Sequence, residues 1–566
     1  MGCLGRRAGE SRGRIVNRSE LLQELQSLIQ ERRIETGIAL LSEHVERFAE
    51  LDTTDPLSGW WVGTLAQWLD VGFEDKGLLA TLLARFSTAG RQQLPLAGYI
   101  HIRLAEALLA MRREDLNEAL RHLETALKIS EDLEDTRSAA VATLWKARCL
   151  RKAGEYDQAL TVTRRGFELA NANGLPYLAA VVGTLESWLL FQKGRTKEAI
   201  KILQDAEAVL RNTDDLITLG NIQSTYGRIA LREGRYDHAM RYFEASIDLF
   251  GRRHSLESYL ARSLTNMAQA KRFMALQLRR SIDARHARLR AGKASSEQMD
   301  KRGQAGQLER MHELLRNAQA DLARADVIYK RAGNHHGAGN VDVSLAQIHL
   351  DLGDLDEAEK RASEAFALGA QKTDYLLMCR ARIVEAMVAN ARFEEQIGEG
   401  EELSRFAQLA HDCAKEAVDL GERTESRRLQ AQSHVCLGVT HVNGFFNDTD
   451  AARACCDRAE VFLEHDRHDA LWQEIELLRS KILHAGIEDP NLRAWSQGEI
   501  GNKSLQDVVA DFEELVIRRV WEHEGRKVSR VANKLSVSPK KVRRVLRHLG
   551  LMSEQQLREE EADSLV

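Results

Sequence analysis

The sequence predicts an all-α fold, in which a long stack of repeated helical hairpins precedes a small helical module near the C-terminal end. Three observations lead to this prediction. Helix-favouring residues dominate a chain of 566 residues that contains only 5 prolines and 6% aromatic residues. A short motif recurs every 40 residues, and basic residues concentrate close to the C-terminus. The chain is too long for one hydrophobic core yet uniform in composition, and a repeat architecture satisfies both conditions.

The repeat is visible around alanines that lie 40 residues apart. They are Ala119, Ala159, Ala199 and Ala239, and the same interval separates Ala318 from Ala358. The strings before them follow the pattern Gly-x-Tyr-x-x-Ala, which is clearest at residues 154–159 and 234–239. In this pattern Gly supplies the positive φ that ends one helix, and the small Ala lets the next helix pack closely. Each unit is therefore predicted to be a helical hairpin.

The pattern resembles the tetratricopeptide repeat, in a longer form of about 40 residues. The clear resemblance covers residues 98–465, and we expect the helices from Ser19 to Arg113 to be divergent units. The domain prediction is a disordered segment over residues 1–18 followed by a helical solenoid over residues 19–485. The resemblance implies an extended concave groove that holds a peptide, a helix or another protein.

Two asparagines are candidate groove residues. Asn221 and Asn340 each lie 13 positions before the hairpin glycine of their unit, on the first helix. Side-chain amides in these positions could hold the backbone of an extended peptide. The alternative is that they are ordinary polar residues on an exposed helix face.

One unit departs from the repeat pattern. Between Leu256 and Gly333 the glycine turn is missing, and a charged stretch over residues 271–310 is inserted. We interpret it as two neighbouring helices lengthened into a protruding hairpin, with residues 291–296 near its tip. A solvated helical extension explains this charge better than contact with nucleic acid does.

A second module follows a predicted linker over residues 486–503, which carries most of the turn signals in this part of the chain. Ser504 can cap a helix with apolar residues at helical spacing. Two short helices then meet at a tight turn, with the small Ala532 where they cross and Ser538-Pro539 at the start of the second. This spacing is typical of a helix-turn-helix.

Residues 504–552 resemble the Fis-type DNA-binding module found at the end of enhancer-binding transcription activators, including the closing Leu549-Gly550-Leu551. The resemblance implies a homodimer formed through residues 505–522. Ser536 stands where that family usually has Gly, Pro539 where it often has Arg, and Arg543 where it often has an aromatic residue. Loss of the Gly costs about 1 kcal/mol if φ is positive there.

Charge favours DNA as the partner of this module. Residues 526–552 contain no Asp or Glu, although the chain as a whole has a net charge of -5. A second helix lying in the major groove of double-stranded DNA brings its cations to base edges and phosphates. The alternative is that this helix docks on an acidic protein surface, and the acidic tail over residues 553–566 could compete with phosphate for it. The predicted DNA-binding residues are Arg526, Lys527, Arg530, Lys540, Lys541, Arg543, Arg544 and Arg547.

Other classes of function find no support in the sequence. The 7 cysteines show no CxxC spacing, so we expect reduced thiols and neither disulfides nor a metal site. Nucleotide-binding glycine motifs and catalytic motifs are missing, which predicts a protein that is not an enzyme and has no cofactor. No apolar run reaches the roughly 20 residues that cross a bilayer, and we expect a soluble, cytoplasmic protein.

The sequence therefore predicts a DNA-binding transcription regulator whose solenoid senses or recruits a peptide or protein partner. The alternative is a scaffold or adaptor, in a signalling or defence complex, whose basic module binds protein. The sequence does not identify the groove ligand, the DNA sequence recognised, the sign of regulation, the oligomeric state or the role of the charged hairpin.

Overall fold

The computed structural model describes residues 17–74, 77–290, 297–395, 400–485, 495, 500 and 502–551, with the side chains of residues 285–304 left outside that description. Within these ranges the backbone forms helices, turns and loops and contains no strand. The predicted all-α class is confirmed for this part of the chain. None of the helices described combines the length and the apolar content needed to span a bilayer.

Six short helices come before the regular hairpins. The large side chains Phe48, Trp61 and Trp68 are fully buried among them, and α4 packs against the first helix of the hairpin array. The prediction that these helices are divergent repeat units stays a prediction. Their bounds are α1 (Arg18–Gln30), α2 (Ile34–Glu43), α3 (Val45–Ala49), α4 (Ser58–Asp70), α5 (Leu78–Arg85) and α6 (Thr88–Gln93).

Paired helices then follow one another through the described chain up to α23 (Leu471–Ala485), with a 3-10 turn at His254–Leu256. Each helix packs against its partner in the pair, and α15 and α16 do so through a shared apolar cluster. Most pairs also pack against the next pair. The pairs are α7 (Leu96–Arg112) with α8 (Leu116–Asp132), α9 (Thr136–Ala153) with α10 (Tyr156–Ala172), α11 (Pro176–Gln192) with α12 (Thr196–Leu210), α13 (Leu216–Arg232) with α14 (Tyr236–Gly251), α15 (Glu257–Arg290) with α16 (Glu297–Arg331), α17 (His335–Leu352) with α18 (Leu355–Lys372), α19 (Tyr375–Glu394) with α20 (Glu401–Glu422), and α21 (Arg427–Val442) with α22 (Thr449–Leu463).

The repeat motif sits at the hairpin turns. Four turn glycines have a φ between +72° and +87°, the left-handed conformation that stops a helix without a steric penalty. In the first hairpin Glu114 takes this role with a φ of +62°. The motif alanines are all 0% exposed, because each lies where the second helix of a pair contacts the first. The turn glycines are Gly154, Gly194, Gly234 and Gly353.

The two longest helices lie at the predicted insertion. Helices α15 and α16 have 34 and 35 residues, whereas the hairpin helices before them have 15 to 18. The ion pair between Lys271 of α15 and Asp321 of α16 joins the two helices, with 2.6 Å between Nζ and Oδ2. The predicted tip, residues 291–296, lies outside the described residues.

Helix ends that are far apart in sequence meet within the solenoid. The Arg32 guanidinium lies 3.3 Å from the Asp215 carboxylate, and both side chains are at most 10% exposed. Gly154 lies beside the Leu376 side chain. The backbone N–H of Ala470 donates to the carbonyl of Arg232 at 2.7 Å. Hairpins far apart in sequence therefore contact each other. First helices of successive hairpins also pack against one another, and the side of the array that the first helices form is called the concave side below.

The chain divides into two compact units. The first comprises residues 1–283 and 297–479, and the second comprises residues 284–296 and 480–566. In the second unit the structure describes α24 (Leu505–His523), α25 (Val528–Lys534) and α26 (Pro539–His548). Most of the predicted linker lies outside the described residues, as do the acidic tail 553–566 and the predicted N-terminal segment up to residue 16.

Candidate nucleic-acid interface and concave surface

Helix α24 begins at a capping box. The Ser504 hydroxyl accepts a hydrogen bond from the Asp507 N–H at 3.3 Å, and the Asp507 carboxylate accepts from the Ser504 N–H at 3.0 Å. These bonds satisfy N–H groups that have no acceptor within the helix. At the other end Ile517 and Trp521 are buried against the two short helices. The second half of α24 therefore anchors the module, as the apolar spacing predicts.

The turn between α25 and α26 occupies four residues. Ser536 has a φ of +53°, and the Val537 N–H donates to the Ala532 carbonyl at 3.0 Å. The Ser538 hydroxyl accepts from the Lys541 N–H at 3.3 Å, while Pro539 takes the first position of the helix. Ser538 and Pro539 thus have the capping roles expected from the sequence.

Helix α26 has one apolar and one cationic face. Val542, Val545 and Leu546 are buried in the module core. The cations at positions 540, 544 and 547 follow helical spacing and are exposed. Among the residues that the structure describes, none of these three forms an ion pair with a carboxylate. This face, formed by Lys540, Arg544 and Arg547, is referred to below as the basic face.

The other predicted DNA-binding residues have varied surroundings. Arg526, Lys527 and Arg530 are exposed before and on α25, and Arg526 has a φ of +59°. Lys541 is half-buried and pairs with Glu513 of α24 at 2.7 Å. Arg543 is also half-buried. Lys541 therefore lies toward α24. Arg543 follows Lys540 by three positions and precedes Arg547 by four, so helical geometry places it beside the basic face.

One further cation of this module did not stand out in the sequence. Lys534, at the end of α25, is exposed and pairs with Glu524. The Lys534 hydrogen bond is the main cause that lowers the pKa of the Glu524 carboxyl below its usual value. Lys534 lies in the same stretch without Asp or Glu as the predicted residues, and this position is the signal by which the sequence could have indicated it.

The two candidate groove asparagines are half-buried on α13 and α17. The Asn221 side-chain oxygen accepts a hydrogen bond from Arg262, and the Asn340 oxygen accepts from Arg380 at 2.5 Å. The Asn340 amide nitrogen donates to the His336 carbonyl at 2.7 Å. Both asparagines therefore hold arginines of neighbouring first helices, which the sequence pattern did not indicate.

Arginines dominate this part of the concave surface. The guanidinium carbons of Arg151 and Arg228 lie 5.0 Å and 5.4 Å from the centroid of the same Trp188 ring. Burial, followed by the charges of Arg262 and Arg148, lowers the pKa of Arg151 to about 10. Burial also lowers the pKa of Arg228 to about 9, with smaller effects of neighbouring arginines. The protein thus holds several like charges close together in a poorly solvated place.

The cysteines and histidines do not form a reactive or metal-binding site in the described chain. The six cysteines described there are unpaired and buried, and Cys3 lies outside those residues. Burial raises the pKa of the Cys379 and Cys436 thiols to about 12, which disfavours the nucleophilic thiolate. No group of three metal-binding side chains occurs in the same described residues.

The chain is similar to several solved structures at low sequence identity. The solved structures similar to this chain include the apo form of the quorum sensor NprR from B. thuringiensis, with 16% identity, 62% of this chain and 98% of that chain covered, and a TM-score of 0.38. A Rap protein complexed with Competence and Sporulation Factor shows 12% identity and a TM-score of 0.35, with 82% of this chain and 98% of that chain covered. The human IFIT1 dimer with PPP-AAAA shows 11% identity and a TM-score of 0.41, with 84% of this chain and 96% of that chain covered.

No curated protein matches the sequence. The family model described as tetratricopeptide repeat matches residues 221–251. That segment covers most of α13 and all of α14, and it includes the turn glycine Gly234 and the buried Ala239. Residues 221–251 therefore form a tetratricopeptide repeat, within an array of helical hairpins that share its glycine and alanine pattern.

Proposed function

We propose that the protein is a DNA-binding transcription regulator whose tetratricopeptide-type solenoid senses or recruits a partner. The basic face of α26 carries this proposal. Lys540, Arg544 and Arg547 project from one side of a helix whose other side is fixed in a small core. Such a helix can enter the major groove and present its cations to base edges and phosphates. Residues 528–548 act here as a helix-turn-helix.

The remaining cations extend this surface. Arg526, Lys527 and Arg530 lie at the start of α25, the helix that crosses the DNA backbone in this docking mode. They contact phosphates, which position the protein without reading sequence. Lys541 exchanges its Glu513 partner for a phosphate when DNA binds, since the pair is partly exposed and weak.

The first half of α24 supports a dimer. Leu505, Val509 and Phe512 lie on one side of this helix and are 75%, 48% and 48% exposed. A second copy of the same helix is the occupant that we assign to this apolar stripe. The interface is narrower than the 505–522 segment expected from the Fis-type resemblance, because Ile517 and Trp521 belong to the core of the module itself.

Binding of double-stranded DNA by the full chain tests the proposal. In the test variant Lys540, Arg544 and Arg547 are each replaced by Gln, and fluorescence anisotropy measures affinity over a range of salt concentrations. We expect the wild-type affinity to fall steeply with salt, by about 0.9 log units per log unit of salt for each phosphate contacted. The variant should bind at least tenfold more weakly and show a shallower salt slope.

The matched control replaces Arg121, Lys197 and Lys201 by Gln. These are exposed cations on α8 and α12, so the change in net charge is the same. The control variant should keep wild-type affinity. Equal loss of affinity in both variants, or no binding by the wild type at low salt, would contradict a role in DNA binding.

An adaptor that binds protein through the same module is the second candidate. The ion pairs of Lys534 with Glu524 and of Lys541 with Glu513 favour it, since these cations bind protein carboxylates there. An adaptor should bind an acidic partner peptide with the basic face and leave DNA unbound at low salt. The anisotropy experiment with a labelled acidic peptide in place of DNA separates the two functions.

A further inference from the structure

The concave side of the solenoid gathers five arginines from four first helices. Arg148 and Arg151 lie on α9, and the other three lie on α13, α15 and α19. Arg151 and Arg228 contact one Trp188 ring, so their guanidinium carbons are no more than about 10 Å apart. Arg262 acts electrostatically on both, and Arg380 acts on Arg228. The concave arginine cluster is Arg148, Arg151, Arg228, Arg262 and Arg380.

Four of the five guanidinium groups form no ion pair among the described residues, and the Asp374 carboxylate attracts that of Arg380 from beyond ion-pair distance. Arg148 forms two hydrogen bonds to the Asp70 carboxylate, at 2.8 Å and 2.7 Å. Among the described residues, no carboxylate lies within ion-pair distance of the other four. Arg262 and Arg380 contact neutral amide oxygens, Arg151 and Arg228 contact a neutral ring, and the buried Nε of Arg151 has no acceptor there.

Keeping such charges together lowers the free energy of unfolding. An arrangement of this kind is typical of a site that binds a ligand. We propose that the concave arginine cluster binds a compact anion with several phosphate groups, of the oligophosphate class. Planar guanidinium groups bind phosphate oxygens through paired hydrogen bonds and stay charged when partly buried. This inference rests on the sensing half of the proposed function and names the chemistry of what the solenoid senses; it does not depend on DNA binding.

The contacts favour a compact anion over an acidic peptide. An extended peptide spreads its charges along the chain, at most one for every roughly 3.3–3.6 Å of length. Its backbone would also need polar partners in the groove. The Asn221 and Asn340 oxygens that could serve are already occupied by Arg262 and Arg380. The Arg151 and Arg228 guanidinium groups instead lie at a single indole ring, where one ligand with several negative charges can reach both of them.

Isothermal titration calorimetry on the full chain at low ionic strength tests the proposal, with inorganic triphosphate, ATP and hexaglutamate as probes. We expect triphosphate to bind. Arg228→Gln and Arg262→Gln, on two different helices, should each weaken binding at least tenfold. The control Arg121→Gln removes an exposed cation of α8 and should bind as the wild type does. Tighter binding of ATP than of triphosphate assigns the site to nucleotides, and equal binding assigns it to free oligophosphate; both support the site.

A thermal melt of each ligand-free variant accompanies the titration. Arg228→Gln should melt at or above the wild-type temperature, because it removes a charge that has no carboxylate partner; loss of binding then cannot be attributed to unfolding. The proposal is overturned if triphosphate fails to bind, if Arg121→Gln weakens binding as much, or if hexaglutamate binds more tightly. If the wild type binds triphosphate but not DNA, only the regulator function is contradicted. If it binds DNA but not triphosphate, only this inference is contradicted.

Discussion

Ser536 adopts a left-handed backbone conformation, with a φ of +53°, in the turn between α25 and α26. Residues with a side chain are disfavoured in this region, whereas Gly enters it freely. The sequence pointed to this position, since the Fis-type resemblance has Gly there, but it could not show whether φ would be positive. The φ of Ser536 is positive, so the module retains a small strain at this residue.

We expect Ser536→Gly to increase the free energy of unfolding of the C-terminal module by up to about 1 kcal/mol, because it removes this strain. Thermal unfolding followed by circular dichroism measures the change. Ser529→Gly is the control, since Ser529 is exposed within helix α25. That substitution should destabilise the module by about 0.5 kcal/mol, because Gly is a poorer helix former than Ser. A loss of stability at position 536 would contradict the argument.

His101 is a buried titratable residue of α7, only 7% exposed, next to the Trp60 ring. Burial lowers the pKa of its imidazole from 6.5 to about 4, with Asp135 and Arg137 as smaller and opposing influences. The neutral ring is therefore the form that the folded protein accommodates. Helical periodicity predicts an apolar residue at a buried position such as this one. The sequence pattern alone therefore does not indicate that the His101 imidazole is buried.

The depressed pKa makes stability depend on pH. Below pH 6.5 the unfolded chain binds a proton at His101 that the folded chain binds only near pH 4, so stability is lost as the pH falls through this window. We expect this residue to account for a loss of about 2 kcal/mol between pH 7.5 and pH 5. Urea unfolding of the wild type and of His101→Gln at both pH values measures the difference. An equal pH dependence in both proteins would exclude this role.

Contacts between helix ends join hairpins that are far apart in sequence. The Asp469 carboxylate, with 0% side-chain exposure, lies 2.8 Å from the Nε of Arg428 and 3.6 Å from the Nε of Arg232. Asp469 also accepts from the Leu471 N–H at 2.9 Å, just before α23. One carboxylate therefore joins α13, α21 and α23, and it pairs with the buried Arg232 and the half-buried Arg428.

We expect Asp469→Asn to lower the free energy of unfolding of the solenoid by about 2 kcal/mol, since it removes the carboxylate partner of Arg428 and leaves Arg232 with only the Asp466 carboxylate, at 3.6 Å. Asn is nearly the same size, so the packing changes little. Asp419→Asn, at an exposed position of α20, is the control and should change stability by less than about 0.5 kcal/mol. Thermal unfolding distinguishes them. Equal stability of the two variants would show that the contact contributes little.

At the level of the whole molecule, the sequence predicted the helical class, the period of 40 residues and the cap residues of the C-terminal module. These depend on local signals such as Gly154 and Ser538, which act within a few residues of their own position. The concave arginine cluster was not predicted. Arg151 and Arg380 both act electrostatically on Tyr156, although they lie far apart in sequence. A single sequence does not show which cations of distant hairpins come close together.

The exposed stripe on α24 leads to a prediction about assembly. We expect Phe512→Glu to shift the full chain from dimer to monomer, because it places a charge in the apolar interface. Analytical ultracentrifugation measures the mass, and affinity for a DNA with two half-sites should fall in parallel. Gln506→Glu adds the same charge at another exposed position of α24 and should leave the dimer intact. A wild type that sediments as a monomer at all concentrations would contradict the interface.

The buried cysteines have a practical consequence for following motion in the solenoid. With thiol pKa values near 11 to 12 and closed surroundings, Cys149, Cys379 and Cys436 should react with alkylating reagents only when their helices separate. Their labelling rates then report how often each region opens. If a ligand on the concave side lowers the labelling rate of Cys149 but not that of Cys456, the ligand restricts helix opening near Cys149 only. The labelling rates of the cysteines then measure how far the effect of the ligand extends along the array.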